Sequence, residues 1–187
     1  KGEHVRLRGE HLKQLAAQRN VSREQLAQAI ERTGLTGDRA TSAIDNWMKG
    51  RDHPRCKASD ITKLAAAVGA APKDIARFVS EVRHHRGSPR KAKLLVDLVR
   101  GKSVDEALNL LTFTTKRAAV NVKKALNAAI ADAERAEADV TALYIVESRV
   151  DDGGMIKRFQ PKDRGRAHPI EKRLSHITIG LEEKARA

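Results

Sequence analysis

The chain has 187 residues, enough for one ordinary domain or two small ones, and its 40% hydrophobic content can fill packed cores. It carries 37 Lys and Arg against 24 Asp and Glu, a net charge of +13 and a pI near 10.2, so a nucleic acid or another anionic surface is the expected partner. Aromatic content of 3% argues against reading single strands mainly by base stacking, and favours a backbone reader over a base reader.

Residues 1–79 hold 15 basic and 9 acidic residues, and the rest of the chain 22 and 15, so both parts are basic. The first part reads as a small all-α module of five short helices. Leu7, Leu12, Leu15 and Ala16 form a first helical stripe. Ser22 caps a second helix with Leu26, Ala29 and Ile30 inward, and Gly34 to Gly37 break it. Asp38 caps a third, burying Ala40, Ala43, Ile44, Trp47 and Met48 before Gly50. After the polar turn Arg51 to Arg55, Ser59 starts a fourth that Gly69 stops, and Pro72 opens a fifth over Asp74 to Val82.

This pattern resembles the Cro/repressor type of helix-turn-helix domain through Ser22-x-x-Gln25-Leu26-Ala27, Ala43-Ile44-x-x-Trp47-x-x-Gly50, Pro54 and Leu64-Ala65-x-x-x-Gly69. The resemblance implies a reading helix that presents Arg39, Thr41, Ser42, Asp45, Asn46 and Lys49 to nucleic acid. The segment between the second and third helices is longer than the usual tight turn, and Asp38 and Asp45 sit beside the few cations. A structural or RNA-docking extension is therefore expected, with a DNA-binding regulator as the alternative.

Residues 80–187 open with Ser80 to Gly87, a short basic segment suited to one strand. Ser88-Pro89 then starts a helix that is expected to bury Leu94, Leu95, Leu98 and Val99 and to end at Gly101. Ser103-x-x-Glu106 is a capping box for the next helix, with Val104, Leu108 and Leu111 as its stripe. A long helix runs from Thr114 or Thr115 to about Ala138, with Ala119, Val122, Leu126, Ala129, Ile130 and Ala133 inward. Its cations gather near the N-terminal half, Lys116, Arg117, Lys123 and Lys124, and its acids at the far end. From Val140 the period becomes two, and Ile177, Ile179 and Leu181 mark the returning strand.

Between those strands lies the most informative stretch, a hairpin at about 150–176. From Met155 to His176 it carries seven Lys or Arg against Asp163 and Glu171, too little apolar surface to bury a core of its own. A polyanion is the partner that its charge selects. About ten residues per arm beyond the sheet reach roughly 30 Å. Gly153-Gly154, Pro161, Gly165 and Pro169 are expected to interrupt the ladder with bends.

The ordered set Ser88-Pro89-Arg90-Lys91, Arg100-Gly101-Lys102, Lys157-Arg158-Phe159, Pro161, Gly165-Arg166-Ala167 and Ser175-His176-Ile177-Thr178 resembles the bacterial type of the large ribosomal subunit protein twenty-two family, over about Arg83 to Glu183. The resemblance implies an α+β fold with three helices on a three-stranded antiparallel sheet and a long protruding β-hairpin. It also implies a structural constituent of the large subunit, in a cytoplasmic or organellar ribosome. Such a protein contacts several domains of 23S-type rRNA, supports early subunit assembly, and lines the peptide exit tunnel with its hairpin. Expected partners are that rRNA, neighbouring large-subunit proteins and the nascent chain, with no homo-oligomer. Carried over by position, the rRNA contacts are Arg83, Arg86, Arg90, Lys91, Lys116, Lys123, Lys124, Lys157, Arg158, Lys162, Arg164, Arg166, His168, Lys172, Arg173 and His176. At the tip, Pro161-Lys162-Asp163 and His168-Pro169 depart from the family's usual residues.

Other chemistries find little support. Cys56 is alone, so no internal disulfide and no CxxC half-site exist, which suits a reducing compartment. His84-His85 would point to opposite faces of a strand, Ser175-His176 lacks a paired acid, and Asp151 to Gly154 lack the later ligands of a calcium loop. No catalytic residue, cofactor or metal is expected. No apolar run approaches roughly 18 residues, and the first residues lack a signal-peptide centre, so no membrane partner is expected.

Overall fold

Residues 5–184 are described by the structure, a computed structural model, and the first four residues of the 1–79 module lie outside them. The chain forms two units, one of Lys1–Phe78, Asp132–Asp139 and Glu182–Ala187, the other of Val79–Ala131 and Val140–Leu181.

The first unit begins with β1 (Val5–Leu7), antiparallel to the first residues of β2 (Ala76–Arg86), with Val5 opposite Phe78 and Leu7 opposite Ala76. Five helices follow β1: α1 (Gly9–Gln18), α2 (Arg23–Ala29), α3 (Asp38–Met48), α4 (Ala58–Val68) and the single turn α5 (Pro72–Ile75). Helix α2 packs on α3 and α4, and α1 packs on α3, which closes a core of Leu12, Leu26, Ile30, Ile44, Trp47, Ile61 and Leu64. Local chemistry explains the helix starts. Ser22 Oγ accepts the Gln25 N–H at 3.2 Å while Gln25 Oε1 accepts the Ser22 N–H at 3.0 Å, a complete capping box. Asp60, 1% exposed, begins α4 by accepting the Lys57 N–H at 3.0 Å and is neutralised by Arg32 Nη2 at 3.2 Å.

Asp38, expected to cap the third helix, is instead the first residue of α3, with Gly37 at the cap position and no side-chain cap, and further expectations fail in this unit. Leu7 belongs to a strand and not to the first helix, so the module is not all-α. The fourth helix starts at Ala58, ahead of Ser59, because the capping carboxylate is Asp60 and not the serine hydroxyl. The fifth helix ends after one turn, and Ala76 continues as β2, since Phe78, Val79 and Val82 suit a pleated strand and β1 supplies the partner for its first residues. At the end of β4 (Ala167–Glu183), buried Glu182 meets Arg8 Nε at 3.0 Å and Arg77 Nε at 2.5 Å.

The second unit places β2, β4 and β3 (Leu143–Pro161) side by side in that order, with α6 (Pro89–Val99) and α7 (Val104–Phe113) packed on β3. Pro89 occupies the first turn of α6, and Ser103 Oγ accepts the Glu106 N–H at 3.4 Å to start α7. The buried stripe of α6 is Ala92, Leu95, Val96 and Val99; Leu94 and Leu98 are 58% and 42% exposed, contrary to expectation. The two leucines are four apart on a neighbouring face, so a shift of one residue in the inward stripe sets them outside. Arg100 locks α6 to β3 by donating to the Ser148 carbonyl at 2.6 Å and to Ser148 Oγ at 3.1 Å, while the Ser148 hydroxyl donates to Val96 O at 3.0 Å. Helix α8 (Ala118–Arg135) starts later than expected because Thr114 still closes α7 through Leu110 O at 2.6 Å. Ala119, Val122, Leu126, Ala129 and Ala133 of α8 are buried. The strand after it begins at Leu143, since Val140–Ala142 form a 3-10 turn.

Strands β3 and β4 run as one long hairpin, joined at Asp163–Gly165 and closed by the Lys162 N–H on Arg166 O at 2.7 Å. Gly153-Gly154 and Pro169 do not break it, against expectation. Gly154 takes φ +83° with its N–H on Asp152 Oδ1 at 3.2 Å, and a Cβ on Gly153 would stand 3.1 Å from the Leu174 and Ser175 backbone. Gly153 lets the strands approach closely and Gly154 takes the left-handed backbone angle, so the ladder continues through both.

Candidate nucleic-acid interface

An extended ribbon exposes alternate side chains on both faces while its backbone polar groups are used in the ladder. In the outer hairpin every residue from Lys157 to Pro169 is exposed, and so are Lys172 and Arg173. The hairpin thus offers Lys157, Arg158, Lys162, Arg164, Arg166, His168, Lys172 and Arg173 to solvent, together with Phe159 at 73% exposure. No ion pair among the described residues ties Asp163 or Glu171 to these cations, so the charge of the ribbon is not spent internally. A cavity of about 490 Å³ gathers Arg86, Arg158, Lys172 and Arg173 where the base of the hairpin meets the end of β2. Phe159 was not among the expected contacts, although a lone aromatic inside a charged run was a readable signal.

The remaining expected residues differ in availability. Arg86, Arg90, Lys91, Lys116 and Lys124 are exposed. Arg83 is exposed but paired with Glu81 at 2.9 Å. Lys123 is half-buried and donates to Thr112 Oγ1 at 2.9 Å. His176 is wedged in the sheet: its Nδ1 accepts the His84 N–H at 3.2 Å, and the two rings meet edge to face with centroids 4.8 Å apart. His84 achieves this with φ +53°, a left-handed kink that sends the next residue, His85, toward α8. There the Asn121 amide nitrogen donates to His85 Nδ1 at 2.7 Å. Burial, and then the Arg117 charge, hold the His85 pKa below its ordinary value. Arg117, too, was not among the expected contacts.

In the first unit, Arg39 and Ser42 are exposed on α3 and Lys49 is exposed just after it, and Arg39, Ser42 and Asn46 line a shallow cavity of about 380 Å³. Thr41 and Asn46 are engaged locally, the Thr41 hydroxyl donating to Asp38 O at 2.9 Å and the Asn46 amide to His53 O at 3.0 Å. Asp45 pairs with Arg23 at 3.1 Å. Among the described residues no group of three or more His, Cys, Asp or Glu has metal-holding geometry. No helix among them is long and apolar enough to cross a membrane.

Comparison with protein families matches residues 80–182, more than half of the chain, to Ribosomal protein L22p/L17e. The chain belongs to that family. The family is a structural, non-enzymatic class, so this chain is a structural protein of the large ribosomal subunit, which binds rRNA and other ribosomal proteins in a cytoplasmic or organellar ribosome. The match runs from Ser80 within β2 to Glu182 within β4 and takes in the whole hairpin.

Proposed function

We propose that this L22p/L17e protein is seated on large-subunit rRNA by the body of residues 80–187 and lines the peptide exit tunnel with its hairpin, touching several rRNA domains and the nascent chain. The observation that carries this reading is the uninterrupted exposure from Lys157 to Pro169 on a ribbon of seventeen- and nineteen-residue strands. Typical strands have five or six residues, so these arms outrun what a domain of this size can cover. A ribbon with no core gains its order by neutralising phosphates on both sides, and a protein that bridges rRNA domains in this way supports early subunit assembly. The rRNA contacts are assigned to the exposed cations named above; Lys123 and His176, already held by protein partners, contribute less. A density map of the intact large subunit tests the tunnel position: a hairpin found on the outer face of the subunit removes it. Absence of the protein from large subunits in a sedimentation gradient at low salt removes the ribosomal role.

Residues 1–79 serve, in this reading, as a docking extension on the ribosome. Asn46 and Thr41 spend their polar groups within the module and Asp45 holds Arg23, which leaves the helix-turn-helix-like face few groups for base edges. The alternative, a DNA-binding regulator, requires that the full chain select an operator sequence over random DNA. Selection of a defined sequence from a random pool would establish it.

A further inference from the structure

Resting on the rRNA-binding reading, we propose that the cavity formed by the end of β2, the start of α6 and the start of α8 receives a single unpaired nucleotide of the rRNA, its base inside and its flanking phosphates on the rim.

The cavity measures about 640 Å³, within the roughly 300–1,000 Å³ of small-ligand sites. Arg86, Lys91, Lys116 and Arg117 are among its lining residues, and no carboxylate lines it. By contrast, the neighbouring 490 Å³ cavity includes Glu171. Four cations around one depression call for phosphate, yet its interior is of another kind. Leu94 and Ala118 line the same cavity, and Leu94 is 58% exposed. A solvated leucine on an otherwise basic surface offers nothing to a phosphate and suits the face of a base.

His85 supplies the planar wall. The Asn121 amide donates to Nδ1, so the ring is the neutral tautomer with its proton on Nε2, and its orientation is fixed. Gly87 leaves room for that ring: a Cβ there would stand 2.5 Å from His85 Nε2. A fixed imidazole and the Arg117 guanidinium are groups on which unstacked RNA bases lie, and a concave site of this size admits a base only when it is out of its helix.

The test uses the full chain bound to large-subunit rRNA, probed with base-modifying reagents and, in parallel, with hydroxyl radicals that report backbone contact. The wild-type protein is expected to shield one discrete unpaired base. Leu94→Glu, at an exposed position, should restore that base's reactivity and weaken binding roughly 10-fold, the scale of one lost base stack, while the backbone footprint persists. Lys116→Ala with Arg117→Ala should lower the salt dependence of binding. Identical base reactivity with wild-type and Leu94→Glu protein overturns the proposal alone. Absence of any footprint with wild-type protein overturns the rRNA-binding reading and the proposal with it.

Discussion

The backbone of Gly9 lies directly against the carbonyl of Trp47: a Cβ on Gly9 would fall 1.9 Å from that oxygen and 3.2 Å from Met48 Cα. Neither neighbour is a flexible side-chain end that can swing aside, so the start of α1 reaches the end of α3 only because residue 9 lacks a side chain. Gly9→Ala is expected to cost about 3 kcal/mol, at the upper end of overpacking in a close-packed interior. Thermal denaturation of the variant should show the loss, and a variant that melts with the wild type would disprove this account of the contact.

Hairpin cations should act on binding and not on folding. Arg164→Ala and Arg166→Ala remove exposed side chains, so each should change stability by less than about 0.5 kcal/mol. Each neutralised phosphate contact should lower the slope of log K against log salt by about 0.7–0.9. Binding isotherms of the full chain on large-subunit rRNA across a salt series read both the slope and the loss of affinity; slopes that match the wild type would show that these arginines meet no phosphate.

His85 makes stability pH-dependent in a definite direction. Its pKa is lowered in the folded chain, so below the ordinary histidine range the unfolded chain binds a proton that the folded chain resists. The contribution is present above pH of about 6.5 and is lost as pH falls from there through the lower folded value. Melting temperatures recorded between pH 7.5 and 5 should fall, and His85→Gln should flatten that part of the profile. Gly87→Ala should disturb the same ring by contact, and an unchanged His85 resonance in its NMR spectrum would refute that.

Cys56 should be inert while the chain is folded. Burial first, then Asp60 and Asp52, push its thiol up to about 12, and the Arg32 charge only partly offsets them. At pH 8 almost no thiolate forms, and thiolate is the reactive species. A disulfide reagent should therefore label native protein slowly and unfolded protein fast; fast labelling of the folded chain would show that the segment from residue 52 to the start of α4 opens readily.

Much of this was legible from residue types and spacing. Ser22-x-x-Gln25 and Ser103-x-x-Glu106 announced two helix starts, because caps are local chemistry between residues three apart, and Pro89 announced a third through its pre-set backbone angle, Ser88 making no side-chain cap there. The basic run between two period-two segments announced an exposed hairpin, because charge without apolar surface has no interior to enter. Illegible were the events that depend on distant partners. Val5–Leu7 is a strand only because residues 76–78 lie beside it, and that same pairing turns an expected helix into the start of β2.

By itself, the sequence determined that this is a basic α+β chain with a long, exposed and strongly basic hairpin, since composition and short-range pattern suffice for both. Only the tertiary structure decided which leucines of α6 face water, that Glu182 answers Arg8 and Arg77, and that Leu94, His85 and four cations share one cavity. A helix stripe can rotate by one residue at little local cost, and a buried charge can choose among many arginines. The packing of the whole chain is what selects one arrangement from these near-equal local options.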